Sequence, residues 1–319
     1  MRRETFDRLF TALQGQRCAR GPMIAADHLA VLIKQPLGEV CRRSDLLAEG
    51  LLYAQRLYHS DFIIVFSDVS VEPEALGVLL EYFPDTNPQP AMQLKISEIK
   101  AFDYTRQGRI PVLLEAASLS SMALPAEMPI FVSMKDPFSL AAMAIGTERF
   151  LELMITGAAR IVDLLEKVTQ CQSYLIDNIV SNNYIPFIGA PIASGGLIGR
   201  NYFRRFAMPY LEKLLARIPA DNFRCLHICG EIGMLGTELA DLNLDLLSFE
   251  DWHEAMWKPE QQAIAMGFVP TNLFMPTANG DLDAAISQCR KVLPEPYILS
   301  AGCDLPAKAD PKRVQKMMR

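Results

Sequence analysis

The sequence predicts an α/β protein, a (β/α)8 barrel of the TIM-barrel type. Short apolar runs alternate with longer helical patterns almost to the end of the 319-residue chain. Eight such runs are present, and most are apolar throughout, as expected of strands in a parallel sheet buried on both faces. No linker, internal repeat or shift in composition marks a second domain, so residues 1–319 are expected to form a single domain.

The eight predicted strands are bounded by Gly, Pro, Asp or Asn residues. In chain order they are 22–26, 61–66, 130–133, 185–188, 223–228, 244–249, 268–274 and 297–300. Ahead of them, residues 1–16 carry apolar side chains at helical spacing, which predicts an amphipathic helix. Between the second and third strands, the proline-rich segment 81–90 predicts an insertion on the barrel.

Charge and composition argue against several classes of function. The chain has 31 Lys and Arg against 37 Asp and Glu, a net charge of −6, and no basic block that would favour nucleic-acid binding. No run of 18 or more apolar residues occurs, so no membrane span is expected. An odd number of cysteines, seven, without an apolar signal segment indicates a reducing compartment, and we expect a cytoplasmic protein.

A His-x-Cys pair and a distant cysteine form the most informative motif of the chain. His227 and Cys229 lie two residues apart at the end of the fifth predicted strand, so their side chains share one face at a spacing of about 6.6 Å. Together with Cys303 they make an N/S donor set typical of zinc, although the pair alone also fits a core histidine beside a buried thiol. Cys225 shares that face but lies about 13 Å from Cys229, and we expect it to be a buried side chain.

The predicted barrel brings these residues to one rim, because barrel active sites form at the carboxyl ends of the strands. Cys229 follows the fifth strand, Cys303 follows the eighth, and two carboxylates follow the sixth. We expect Asp251 to be the fourth zinc ligand and a catalytic group, since a carboxylate that leaves when substrate arrives makes a zinc site catalytic. Glu250 is the alternative fourth ligand, and His253 is a less favoured one.

The donor set also predicts a reaction class. Zinc held by two thiolates and one imidazole polarises water less than an all-histidine site would, and such a site suits a thiol. A thiol that coordinates the metal is deprotonated, which makes it a nucleophile at neutral pH without a separate base. The motif therefore predicts alkyl transfer to sulfur.

Several segments of the chain carry a resemblance to a known family. They are DFIIVFSD at 61–68 with EALG at 74–77, PFIGAPIASG at 186–195, HICG at 227–230 and ILSAGCDLP at 298–306. With these segments the chain resembles, nearly end to end, the uroporphyrinogen decarboxylase superfamily and, within it, the methylcobalamin:coenzyme M methyltransferase branch. The last two segments are the specific ones, because in that branch the His-x-Cys pair and the distant cysteine bind zinc.

The resemblance implies a zinc-dependent methyltransferase that moves a methyl group between a protein-bound corrinoid and a thiol such as coenzyme M. Its implied cofactors are zinc and a corrinoid, methylcobalamin, as methyl donor or acceptor. Its implied partners are a corrinoid protein and a small thiol or methylated substrate. Related demethylation systems run the opposite half-reaction, from a methylated substrate to the corrinoid, and this direction is an alternative.

Asp68 is a further candidate catalytic residue, because it matches an aspartate that the family's decarboxylases use to hold pyrrole nitrogens. From the residues alone, it is equally a carboxylate that caps a turn. The chain lacks two decarboxylase features, an arginine-rich first loop (MIAADH at 23–28) and a late Gly-His-Gly segment (AGC at 301–303). Tetrapyrrole decarboxylation and a non-catalytic corrinoid-binding subunit with structural zinc are therefore the alternatives. Asp27 and His28 are candidates for substrate contact.

Overall fold

Eight parallel strands form the main sheet of the protein in a computed structural model that describes residues 18–258 and 263–319. The predicted amphipathic helix at 1–16 lies outside the described residues. The sheet has the order β1-β10-β9-β8-β7-β6-β5-β2. Its strands are β1 Cys18–Arg20, β2 Ile63–Val65, β5 Ile130–Lys135, β6 Ile185–Ala190, β7 Cys225–Ile228, β8 Leu246–Phe249, β9 Ile264–Val269 and β10 Tyr297–Ala301. A separate hairpin pairs β3 Leu79–Glu81 with β4 Gln89–Met92.

Helices connect the parallel strands, as the sequence predicts. They are α1 Ala26–Ile33, α2 Leu37–Val40, α3 Ser44–Tyr58, α4 Val71–Ala75, α5 Ile110–Ala123, α6 Pro137–Ile145, α7 Thr147–Thr156, α8 Ala158–Ser181, α9 Gly195–Tyr202, α10 Met208–Leu215, α11 Gly236–Asp241, α12 Leu282–Val292 and α13 Pro311–Met317. Within the described parts of the chain, no helix combines the length and the apolar character needed to cross a membrane.

The sheet curls around an inner core to which every strand contributes. At least one buried side chain from each strand belongs to this core, among them Ala19, Ile64, Phe131, Phe187, Cys225, Leu246, Met266 and Ile298. In a flat sheet the outermost of these residues would lie several strand spacings of about 4.8 Å apart. The α/β class and the parallel strands of the prediction are therefore confirmed.

The closed barrel that the sequence predicts needs a correction at the seam between β1 and β2. No ladder joins these two strands in the described part of the chain. Two bonds cross the seam instead: the Asp61 amide donates to the Arg20 carbonyl at 2.9 Å, and the Arg20 amide donates to the Asp61 carboxylate at 2.7 Å. Pro22 has no N–H group with which to extend the pairing beyond Arg20.

Two strand boundaries also differ from the prediction. The first strand lies at Cys18–Arg20 and not at 22–26, because Pro22 interrupts the backbone hydrogen bonding. The seventh barrel strand is Ile264–Val269, and the segment Thr271–Phe274 that was assigned to it forms a 3-10 helix after Pro270. The other six predicted strands overlap the observed ones.

Candidate metal centre

The alternation of side chains along β7 places one face of the strand inside the curled sheet. Cys225 belongs to the inner core and is fully buried, as predicted, and burial raises the pKa of its thiol well above the usual value. His227 is the next inward residue, and Cys229 continues the same phase just beyond the strand. Cys225 is thus a packing side chain, whereas His227 and Cys229 lie at the carboxyl end of the strand.

Strand β8 lies beside β7 with the same alternation of inward side chains, and its Ser248 orients His227. Ser248 pairs in register with His227, and its Oγ lies 3.0 Å from the histidine Nδ1. An imidazole held in this way through one ring nitrogen presents the other nitrogen in a fixed direction. The Nε2 of His227 accordingly faces Cys229, with 3.2 Å between Nε2 and Sγ.

A close approach between the ends of β8 and β10 brings the distant cysteine to the same place. A Cβ atom at Gly302 would lie 2.9 Å from the Cα of Glu250, so only glycine allows this approach. Cys303 follows directly, and its Sγ lies 3.9 Å from that of Cys229. Two strands, β8 and β9, separate β7 from β10 in the sheet, so this contact depends on the curvature of the sheet.

Four donor atoms converge at the rim, from His227, Cys229, Cys303 and Glu250, all within 4.8 Å of one another. The Sγ of Cys303 lies 3.8 Å from the Nε2 of His227, which completes a triangle with sides of 3.2, 3.8 and 3.9 Å. A tetrahedral ion with bonds of roughly 2.0–2.3 Å requires ligand atoms about 3.3–3.8 Å apart. The donor set and its spacing therefore fit a zinc ion.

Glu250, and not Asp251, supplies the carboxylate of this cluster. The side chain of Asp251 is 66% exposed, and its carboxylate lies 3.4 Å from the Nε2 of His253, which is itself outside the cluster. The reason is the two-residue alternation of β8, in which Leu246, Ser248 and Glu250 share the inner face. The structure therefore places Glu250, the alternative fourth ligand, beside the other three donors and leaves Asp251 outside them.

The pKa values of the two thiols in the cluster are shifted in opposite directions. A hydrogen bond from Cys303, helped by the neighbouring His227, lowers the pKa of Cys229 to about 4 despite its burial. The contact with Cys229, burial and the hydrogen bond from its thiol to the Asp304 carboxylate raise the pKa of Cys303. Burial and the charge of Cys229 raise the pKa of Glu250. Crowded anionic donors of this kind are stabilised together when a divalent cation binds.

Asp68 lies outside this cluster, in a buried ion pair. Both of its carboxylate oxygens accept hydrogen bonds from the Arg109 guanidinium, and the Ser67 hydroxyl and the Ser70 amide donate at 2.9 and 2.8 Å. Burial would raise the pKa of Asp68, but the bonds and charge of Arg109 hold it below its usual value. The carboxylate is thus fully engaged by the protein.

His28, a candidate for substrate contact from the sequence, is buried in the structure and does not face a substrate. His28 lies within α1 and is fully buried, with its Nε2 2.7 Å from the Tyr58 hydroxyl and its Nδ1 3.1 Å from the Ala307 carbonyl. It is a satisfied core histidine. Asp27 is partly exposed, and burial raises its pKa to about 6.

Three residues of the rim, Ser248, Lys135 and Arg109, are not among those predicted from the sequence. Ser248 and Lys135 carry a usable signal, since each is a polar residue at an inward phase of an apolar strand. Arg109 carries none, because it lies in a loop 41 residues away from its partner Asp68. Pairings across such distances depend on tertiary structure.

Comparison with protein families gives one match that covers almost the whole chain. The model of the family described as "Uroporphyrinogen decarboxylase (URO-D)" matches residues 4–319. This range contains every element of the described fold and all four residues of the metal cluster.

Two kinds of enzyme appear among the similar proteins. A methylcobamide:CoM methyltransferase MtbA from Methanosarcina acetivorans is 25% identical over 98% of this chain and 96% of its own length. A uroporphyrinogen decarboxylase from Geobacter sp. strain M21 is 24% identical over 78% of this chain and 76% of its own. A methylcobamide:CoM methyltransferase MtaA from Methanosarcina barkeri is 27% identical, but the match spans only 47% of this chain and 44% of that protein.

A solved structure supports the fold. A methyltransferase from Methanosarcina mazei superimposes with a TM-score of 0.82 over 93% of this chain and 91% of its own, at 20% sequence identity. At this identity the likeness concerns the arrangement of strands and helices.

Proposed function

This chain belongs to the uroporphyrinogen decarboxylase family, and on that premise we propose that it is a zinc-dependent methyltransferase acting between a protein-bound corrinoid and a small thiol. The observation that carries the proposal is the convergence of His227, Cys229, Cys303 and Glu250 at the carboxyl ends of three strands. Three of these ligand residues are only partly buried, so a substrate can reach the donor atoms from the rim. The methyltransferase names of two relatives point the same way.

Each residue of the cluster has a separate task in this proposal. The Nε2 of His227 and the two thiolates would hold the metal, with Ser248 fixing the imidazole. Glu250 would occupy the fourth position at rest and give way to the incoming thiol. A bound zinc ion would supply Lewis acidity that keeps the acceptor sulfur deprotonated near neutral pH.

The transfer itself is a displacement at the methyl carbon. The sulfur of the acceptor forms a bond to that carbon while the cobalt–carbon bond of the corrinoid breaks, and its electron pair stays on cobalt. The thiol proton passes to solvent. The protein contributes mainly by holding the sulfur in line with the methyl group.

A spectroscopic assay tests the proposed function. The zinc-loaded protein is mixed with methylcobalamin and coenzyme M, and the cobalt absorption spectrum is followed. Conversion of methylcobalamin to reduced cobalamin, with formation of a methylated thiol, is the expected result. Failure with every thiol, while methylated substrates react with reduced cobalamin, would reverse the proposed direction of transfer.

Tetrapyrrole decarboxylation is the second candidate, supported by the Geobacter relative and by the presence of Asp68. The engagement of both Asp68 oxygens by Arg109 argues against a free carboxylate for pyrrole binding. Release of carbon dioxide from uroporphyrinogen by a zinc-free preparation would favour this candidate over methyl transfer.

Adjacent carboxylates offer a direct test of the fourth ligand. Glu250→Gln is expected to change the zinc coordination and to alter thiol binding, because the replaced oxygen faces the other three donors. Asp251→Asn is the matched control, and it is expected to leave both properties unchanged, since its side chain is exposed. Cobalt(II) substitution with visible absorption spectroscopy makes the measurement. A change of zinc coordination in Asp251→Asn but not in Glu250→Gln would instead assign the fourth position to Asp251.

Removal of the serine behind the histidine is expected to weaken zinc binding. Ser248→Ala deletes the partner of His227 Nδ1, and loss of such an outer partner lowers metal affinity roughly 10- to 100-fold. Ser300→Ala is the control, because the buried Ser300 Oγ has no hydrogen-bond partner among the described residues. Competition with a chelator measures the affinity. Equal losses in the two variants would remove the proposed role of Ser248.

A further inference from the structure

A buried lysine lies at the rim of the sheet without a direct partner for its charge. Lys135 ends β5, is only 6% exposed, and lies on the inward face with Phe131. Its Nζ lies 5.0 Å from the centre of the Phe66 ring, and within residues 18–258 and 263–319 it makes no ion pair or hydrogen bond. A desolvated ammonium group held only by an aromatic face remains available to an anion.

The carboxylates around Lys135 accept hydrogen bonds from donors other than its Nζ. Glu72 accepts from the Tyr104 hydroxyl at 2.7 Å, from the Gln172 amide at 3.0 Å and from the backbone amide of Lys135. Asp136 caps α6 through the amides of residues 138 and 139, and burial raises its pKa to about 7.

Asp68 lies on the same cleft as Lys135, but it is paired with Arg109. The three carboxylates around the lysine are therefore each engaged by hydrogen-bond donors other than its Nζ. The Lys135 ammonium group therefore has no direct counter-ion among the described residues.

The lysine and the metal cluster lie on the same inner face of the sheet, two strands apart. Lys135 pairs in register with Gly189, and Gly189 pairs with His227, so two strand spacings of about 4.8 Å lie between the lysine and histidine backbones. A Cβ atom at Gly189 would meet nothing closer than the Met134 carbonyl at 3.7 Å. Gly189 therefore carries no side chain on this face between Lys135 and His227, and its position is not crowded.

We propose that Lys135 is the residue that binds the anionic end of an acidic acceptor thiol whose sulfur lies at the metal cluster. This inference rests on the proposed function for the position of the sulfur. Lys135 acts as a specificity-determining residue that contacts substrate.

The test compares ligands that differ in one group. Binding of 2-mercaptoethanesulfonate, 3-mercaptopropionate and 2-mercaptoethanol to the zinc-loaded protein is measured by calorimetry for the unmodified chain and for Lys135→Met and Lys135→Arg. The unmodified protein is expected to prefer either acid over the neutral thiol roughly 10- to 100-fold, as for a charged hydrogen bond. Lys135→Met is expected to remove this preference, and Lys135→Arg to restore part of it.

Two controls separate charge recognition from a structural defect. Lys213→Met removes a half-exposed positive charge from α10 and is expected to change no affinity. Zinc content and circular dichroism are expected to match in all variants. Equal weakening of acidic and neutral thiols by Lys135→Met, or no acid preference in the unmodified protein, would overturn the inference.

Ethanesulfonate, which has the anion but no thiol, distinguishes this inference from the proposed function. It is expected to bind weakly to the unmodified protein and not to Lys135→Met, whether or not methyl transfer occurs. Binding of ethanesulfonate with no methyl transfer to any thiol would overturn the proposed function and leave an anion site at Lys135. Equal binding to both proteins, or none to the unmodified one, would overturn the anion site.

Discussion

Cys229→Ala is expected to lower zinc affinity by more than about 100-fold, the upper range for loss of an outer partner of a metal ligand. Methyl transfer to a thiol is expected to disappear with the metal. The Sγ of Cys229 lies 3.2 Å from His227 Nε2 and 3.9 Å from Cys303 Sγ, within the four-donor cluster. Its removal takes away the thiolate with the most strongly lowered pKa in the cluster, so the remaining donors cannot hold the ion.

The same strand provides a matched control for this variant. Cys225 has the same inward phase as Cys229 but is buried in the inner core below the metal cluster. Cys225→Ala is expected to lower the free energy of unfolding by about 1 kcal/mol, as an ordinary core truncation does, and to leave zinc binding unchanged. Metal analysis of the two purified variants makes the measurement. Full zinc retention by Cys229→Ala, or equal zinc loss in both variants, would contradict the assignment.

Arg109→Met is expected to lower the free energy of unfolding by about 3–5 kcal/mol, as the loss of one partner of a buried ion pair does. Asp68 is then left as a buried carboxylate with only the Ser67 hydroxyl and the Ser70 amide as donors. The Arg109 Nε also binds Glu74 at 2.7 Å, so the substitution removes a cation from two carboxylates. Urea unfolding at pH 7 measures the change.

A double variant separates the charge effect from lost packing. In Asp68→Leu with Arg109→Met, no uncompensated Asp68 charge remains, so the double variant is expected to be more stable than Arg109→Met alone. Additive destabilisation would show that the pair contributes only through packing. Methyl transfer by a folded Asp68→Asn protein, at a rate close to that of the unmodified chain, would show that Asp68 acts in structure and not in chemistry.

The ion pair also predicts a dependence on pH. Arg109 keeps the pKa of Asp68 below its usual 3.8, so its stabilising contribution is present above that pH and is lost as the pH falls through the lowered pKa. In Arg109→Met the effect of burial, the largest cause, raises this pKa against only the Ser67 and Ser70 hydrogen bonds. The variant then gains stability as its Asp68 becomes protonated. The difference in unfolding free energy between the two proteins is therefore expected to shrink from pH 7 toward pH 4.

Much of the metal cluster could be predicted because the rules that place it are local. The two-residue period of a strand puts His227 and Cys229 on one face and Cys225 in the core below them. The parallel topology then brings Cys303 to the same rim, since active-site groups collect at the carboxyl ends of such strands. Three of the four donor residues therefore follow from spacing and topology.

The remaining parts depend on details that sequence spacing does not contain. The choice between Glu250 and Asp251 depends on the phase of β8 at its last residue, and a shift of one residue exchanges the two side chains. The open seam of the sheet depends on Pro22, which has no N–H group for pairing after Arg20. The partner of Asp68 lies in a loop before α5, where no periodic pattern marks Arg109.

The most direct test of an open zinc site is zinc X-ray absorption spectroscopy of the purified protein before and after addition of a thiol. The donor set of His227, Cys229, Cys303 and Glu250 predicts one nitrogen, one oxygen and two sulfur neighbours at rest. On addition of coenzyme M, the predicted result is a third sulfur in place of the oxygen, which Lys135→Met weakens and Asp251→Asn leaves unchanged. A zinc-free protein, or a four-ligand zinc spectrum that no thiol alters, would contradict the account.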